Sequence, residues 1–104
     1  MADHDLNRAL DAFLVAAARA GDRRAERDLV LRFQPRLLGH AWRLTGDAQM
    51  AEDAVQEAWL RIAKSVSGLR DDAAFPAFAF QIVTRCCAQA IGRVKRERDL
   101  SAAA

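Results

Sequence analysis

Two runs of side chains in this chain are spaced to do binding chemistry. In the first, Gln56, Glu57 and Leu60 follow Asp53 by three, four and seven residues, and Lys64 comes four after Leu60. At roughly 100° per residue these five fall on one side of an α-helix. Carboxylates and an amide around a leucine offer hydrogen-bond acceptors and a dry contact together, which suits a basic helical partner. In the second run, Phe78, Gln81, Arg85, Gln89 and Arg96 form a stripe, and Arg93, Lys95 and Arg98 spread around its end. Cationic groups attract phosphate, and binding of that origin weakens steeply with salt. Exposed aromatic and amide groups alongside can stack on unpaired bases and read them. Each run also has a plainer account. A surface helix is solvated on one face, and bases near a helix C-terminus complement its dipole.

Charge is distributed unevenly along the chain. The net value of +2, from 16 basic and 14 acidic residues, is too small to imply nucleic acid by itself. Between Asp47 and Lys64, however, Asp47, Glu52, Asp53 and Glu57 outweigh Arg61 and Lys64, leaving −2. Between Arg85 and Arg98, the bases Arg85, Arg93, Lys95, Arg96 and Arg98 stand against Glu97 alone, leaving +4. One acidic and one basic helix imply two surfaces with different partners.

Other chemistries find little support. The carboxylates of the acidic run have no nucleophile beside them, so no catalytic residue is expected. There is no phosphate-binding loop of the Gly-x-x-x-x-Gly-Lys kind and no paired-histidine metal motif; the histidines are His4 and His40. Neither a metal nor a cofactor is expected. Cys86 and Cys87 are adjacent, a spacing that disfavours a mutual disulfide, so they read as reduced thiols with at least one buried. No run reads as apolar enough to span a membrane, and the first residues lack the basic start of a secretory signal. A cytoplasmic protein without membrane insertion is expected.

The elements that must hold these runs are helical. The chain has 104 residues, five glycines, two prolines and no tyrosine, and much of its 52% hydrophobic share is alanine. That composition favours helix over sheet, and the length fits one domain. The predicted fold is all-α, a compact bundle of about four helices. The first spans about 5–20, with Leu6, Leu10, Phe13, Leu14 and Ala17 at helical spacing and Gly21 as its stop. The second spans about 23–44, capped by Asp22, with Ala25, Leu29, Phe33, Leu37, Ala41 and Leu44 on its apolar side. Pro35 inside it is expected to kink or split it. Gly46 and Asp47 form a stop and a start. The third helix runs to about Val66 with Ala51, Val55, Ala58, Trp59, Ile62 and Val66 as its core face. A loop at 69–72 follows. The fourth begins near 73–76 and continues to about Arg98, burying Phe75, Ala79, Ile82, Val83, Cys86 and Ala90. Residues 101–104 are expected to be a disordered tail after a domain at 1–100. His40 reads as a surface or edge histidine.

At this point the chain becomes recognisable. Arg36-Leu37-Leu38, Ala41, Arg43-Leu44-Thr45-Gly46-Asp47 and the run Ala51-Glu52-Asp53-Ala54-Val55-Gln56-Glu57-Ala58-Trp59-Leu60-Arg61 closely resemble region 2 of the extracytoplasmic-function sigma factors. These are small members of the sigma-70 family. The resemblance extends from about 14 to 98. It implies that the third helix docks on the clamp coiled coil of the RNA polymerase β′ subunit, with Asp53, Gln56, Glu57 and Leu60 as contacts; Trp59, on the core side by helical angle, is kept as a packing residue. It implies that the fourth helix and the loop before it bind the non-template strand of the promoter −10 element and hold the duplex open. Captured bases leave the stack at a cost of a few kcal/mol, which a shaped pocket and stacking must offset. By position the strand contacts are Arg70, Asp71, Phe75, Phe78, Gln81, Arg85, Gln89, Arg93, Lys95 and Arg96. An anti-sigma factor is a further implied partner.

The fourth helix departs from the family pattern. Pro76 stands where a basic residue is usual, Phe78 where tryptophan is usual, Arg85 where asparagine is usual and Gln89 where aspartate is usual. Phosphate attraction should survive these changes, and base preference should differ. A sigma-like decoy that binds an anti-sigma factor or polymerase without reading promoters is the alternative. A second, helix-turn-helix domain of the kind that reads the −35 element in the family is not expected within these 104 residues, which read either as a fragment of a longer protein or as a lone region 2 module.

Overall fold

The computed structural model describes residues 2–103, which form four α-helices: α1 (Ala2–Arg19), α2 (Arg23–Thr45), α3 (Ala48–Ser65) and α4 (Phe75–Ala103). Two 3₁₀ turns, Val66–Gly68 and Asp72–Ala74, lie between α3 and α4. No strand occurs among the described residues. The expected all-α bundle of four helices is what forms.

The boundaries follow from named capping groups. Gly21, at φ 98°, ends α1. Its N–H donates to the Ala18 carbonyl, and the Asp22 N–H reaches back to that of Ala17. This reciprocal pair satisfies carbonyls the helix end would otherwise orphan. The Asp22 carboxylate then accepts from the Arg24 and Ala25 amides to start α2. Gly46, at φ 65°, closes α2 through its N–H to the Trp42 carbonyl, and Asp47 starts α3 by accepting from the Met50 amide at 2.9 Å. Losing a carboxylate cap costs about 1 kcal/mol.

Pro35 does not split α2, which is one helix from Arg23 to Thr45. The ring removes the bond that the Leu31 carbonyl would have accepted. Leu31 and Pro35 are both exposed, so water can take that place.

The core is shared by all four helices. Phe33, Leu37, Val15, Val55, Phe75, Val83 and Cys87 are the largest fully buried side chains. Burying an aliphatic or phenyl side chain of this size contributes about 1.5–3 kcal/mol. Phe33 of α2 meets Phe75, the first residue of α4, edge to face at 5.1 Å between ring centroids. Polar clasps hold the periphery. Asp11, the buried charged residue of α1, accepts from Arg32 and Arg36 of α2. The Trp59 indole N–H of α3 donates to the Gln34 amide of α2. His40 of α2 is half-buried, packs edge-on against Phe80 and sits 2.8 Å from the Thr84 hydroxyl of α4. That hydroxyl also lies 2.9 Å from the Phe80 carbonyl.

Four expectations need correction. The apolar spacing on α1 defines its buried side only in part: Leu14 is buried and Ala17 packs against the core, but Leu6 and Phe13 are each 67% exposed and Leu10 is exposed too, while Asp11 and Val15 are buried. The Asp11 ion pairs rotate α1 so that its mixed face meets α2. Leu44 is exposed at the end of α2, because the chain turns away at Gly46 before anything covers it. Ser101, Ala102 and Ala103, assigned to a disordered tail, continue α4, in keeping with the high helix propensity of alanine; Ala104, the last residue of that tail, and Met1 lie outside the described residues. Finally, the stretch Asp72–Ala103 contains a window of mean hydropathy 1.2, apolar enough by length and composition to cross a membrane. Here its apolar side chains Phe75, Ala79, Ile82, Val83, Cys86 and Cys87 are buried in the bundle.

Candidate interaction surfaces

The acidic run of α3 emerges on the outside of the bundle. Asp53, Gln56, Glu57 and Leu60 are all exposed, Leu60 at 60%. The stripe is not uniform. Asp53 and Glu57 line a cleft of about 290 Å³ that α3 shares with α4, together with Arg61, Cys86, Gln89 and Arg93. Gln56 and Leu60 stand outside that cleft. Arg61 bridges it: its Nε pairs with Glu57 at 3.3 Å and its Nη2 donates to the Gln89 amide oxygen at 2.7 Å. Arginine has only donors, so the oxygen of Gln89 must face inward and its NH₂ group outward. Asp53 accepts from Gln49 at 3.0 Å, one turn earlier.

A second concavity lies further along the same seam. It holds about 270 Å³ and is lined by Arg61, Lys64, Ser65, Phe78, Gln81, Ile82 and Arg85. Three cations, an aromatic ring and an amide therefore converge on one space. Phe78 is half-buried, its ring tilted against Phe75 at 6.3 Å while it lines the concavity. Of the residues read from the sequence, Phe78, Gln81 and Arg85 meet here. Arg61 and Lys64 were not assigned to this side, because the helical projection of α3 alone does not show where α4 crosses it.

Other assigned residues are placed differently. Phe75 is fully buried against Phe33; it anchors the start of α4 and presents no face to a strand. Asp71 accepts from the Ala73 amide at 3.0 Å and so caps the turn before α4. Arg70 is exposed beside it. Arg93, Lys95 and Arg96 are exposed on the part of α4 that follows Ala90, its last buried residue. Arg93 still lines the cleft with α3, whereas Lys95 and Arg96 sit on an overhang, well removed along the helix from Phe78.

Both thiols are buried under this seam. Burial pushes the Cys86 thiol up; Arg61 pulls it partly back, Glu57 adds to the rise and Arg93 opposes it. Burial raises Cys87 as well, with Cys86 adding to the effect. The unfolded chain therefore loses its thiol protons at lower pH than the native one. The thiols' contribution to stability is fully present below the ordinary thiol range and is lost as pH rises through and above it. Native protein should react slowly with iodoacetamide at neutral pH and rapidly once unfolded in urea, as intact mass spectrometry would record. Fast double alkylation of folded protein would contradict the burial.

The seam between α3 and α4 thus brings an acidic, leucine-centred edge and a cationic, aromatic concavity onto one half of a helical bundle. The family described as Sigma-70 region 2 matches residues 29–97. Over 72 residues the chain is 38% identical to the RNA polymerase sigma-H factor of Pseudomonas aeruginosa, a match that takes in 69% of this chain and 37% of that protein. The chain belongs to the sigma-70 family and carries its region 2 domain. It spans a little over a third of the length of the curated relative it matches.

Proposed function

We propose that this domain works in bacterial transcription initiation as region 2 of a sigma factor of the extracytoplasmic-function type. In this reading α3 binds the clamp coiled coil of the RNA polymerase β′ subunit through Asp53, Gln56, Glu57 and Leu60. The loop at 69–74 and α4 bind the non-template strand of the promoter −10 element and keep the duplex melted. The observation that carries it is the concavity where Phe78, Gln81 and Arg85 meet Arg61 and Lys64. A ring supplies a stacking surface, amides supply base-edge hydrogen bonds, and the surrounding cations compensate the phosphates. Arg70, Arg93, Lys95 and Arg96 extend the positive track to either side. Gln89, with its NH₂ outward, favours acceptor atoms on a base or phosphate. An anti-sigma factor is the regulatory partner this reading carries, and a polymerase-bound role places the chain in the cytoplasm.

Titration of a fluorescein-labelled single-stranded −10 oligonucleotide tests the strand half. Affinity should depend on sequence and fall by about a factor of ten or more as salt rises from 50 to 200 mM, in proportion to the phosphates neutralised. Substituting Arg85→Ala should lower both the affinity and the salt slope. Binding to the coiled coil without any strand binding at low salt would leave a sigma-like decoy in place of a promoter reader.

A further inference from the structure

The loop before α4 carries strand contacts in the function proposed above, and the structure ties both of its ends to one side chain on another helix. Arg19, the last residue of α1, donates from Nη1 to the Asp72 carboxylate at 2.6 Å. Its Nη2 reaches the Ser67 carbonyl at 3.5 Å, the outer limit of a hydrogen bond. Ser67 lies just before the loop and Asp72 at its end. Between them the backbone has little to order it. The Leu69 amide donates to Val66, Leu69 is half-buried against the core, and Arg70 and Asp71 are exposed. Segments with few buried contacts open easily.

The charges of the loop are also arranged by this contact. Asp71 is occupied as the cap of the following turn, and Asp72 is occupied by Arg19. Arg70 makes no ion pair among the described residues. With Asp72 paired and the Asp71 carboxylate turned back onto the Ala73 amide, Arg70 is the cation the loop leaves unpaired among the described residues. The ion pair is partly shielded, with Arg19 and Asp72 side chains 27% and 34% exposed, and a planar two-pronged guanidinium suits two acceptors better than an ammonium would. Arg19 falls outside residues 29–97, the stretch that matches the family.

We propose that Arg19 is a positioning residue for strand binding: it clips the 67–72 segment so that Arg70 and the first turn of α4 face an anionic single strand. The proposal rests on the function proposed above, and two readouts separate their failures. Amide hydrogen exchange on the intact chain reports loop order with no DNA present. In Arg19→Ala the amides of residues 69–74 should exchange at least about tenfold faster, with those of α3 unchanged. Titration with the same fluorescein-labelled oligonucleotide should then show a several-fold loss of affinity, while binding to a β′ coiled-coil fragment is retained. Arg19→Lys, which keeps the charge and one prong, should recover most of the affinity, and guards against misfolding in the alanine variant. Unchanged exchange would overturn the clip. Faster exchange with unchanged strand affinity would make Arg19 structural only, and overturns the positioning role. If wild-type protein binds no strand at all, the functional reading falls and this proposal falls with it, whatever exchange shows.

Discussion

Replacing Gln56 and Glu57 together by alanine should abolish binding to the β′ clamp coiled coil and leave the bundle folded. Both side chains are exposed and neither contributes to the core. The pair Glu57–Arg61 is a solvent-facing contact one helical turn long, and such pairs contribute only about 0.3–0.5 kcal/mol to stability. At an interface the same groups become desolvated and are met by donors. Truncating a charged or amide anchor there costs about 2 kcal/mol or more each, so the double variant should lose affinity by about a thousandfold. Circular dichroism should show the helix signal intact while a pull-down with the coiled coil loses its signal. Unchanged capture would remove the α3 face from the function. Leu60→Asp should do similar damage, because it places a charge where the interface has its dry contact.

Phe33→Ala should be the most destabilising single change, by about 3–5 kcal/mol. Phe33 is fully buried at the middle of α2 and touches Phe75 edge to face, while the Arg36 guanidinium lies 4.5 Å from the centre of its ring. Removing the ring leaves a cavity under the start of α4 as well as a lost aromatic contact. A chemical denaturation midpoint should fall accordingly, with the slope of the transition unchanged. A loss below about 1 kcal/mol would mean that the core closes around the gap more easily than its dense packing allows. Because Phe75 opens α4, strand binding should weaken in this variant even under conditions where it remains folded.

How much of this was legible beforehand depended on whether a property was local. Asp22, Gly46 and Asp47 announced helix ends because a cap acts within a few residues. The buried faces of α2, α3 and α4 followed from helical spacing, since each packs on more than one neighbour and its apolar side is wide. The buried side of α1 followed only in part: Leu14 and Ala17 face the core, whereas Leu6, Leu10 and Phe13 do not. Its leucines and Phe13 repeat convincingly, yet the helix is oriented by Asp11 pairing with two arginines more than twenty positions away. The functional side chains divide in the same manner. The two stripes were visible as stripes, but the seam that joins Arg61 and Lys64 to Phe78 depends on how α3 crosses α4. Phe75 was legible as core and was also assigned to the strand; its burial leaves only the first role. The clip at Arg19 spans more than fifty positions, and no spacing within one helix reveals it.

The overhang of α4 has a thermodynamic consequence. Residues 91–103, about 13 in all and about 20 Å long at the rise of an α-helix, follow the last buried side chain of α4. Only Arg93, at its base, still lines the cleft with α3; a helix of that length with so little tertiary support is marginal in water and is sustained mainly by its continuity with the packed turns before it. Its occupancy should therefore be temperature-sensitive, melting from the C-terminal end before the bundle does. Any polyanion that binds Arg93, Lys95 and Arg96 only in their helical array shifts that local equilibrium by mass action. The end of this helix would then lengthen on its ligand, and part of the apparent affinity would be the cost of winding it.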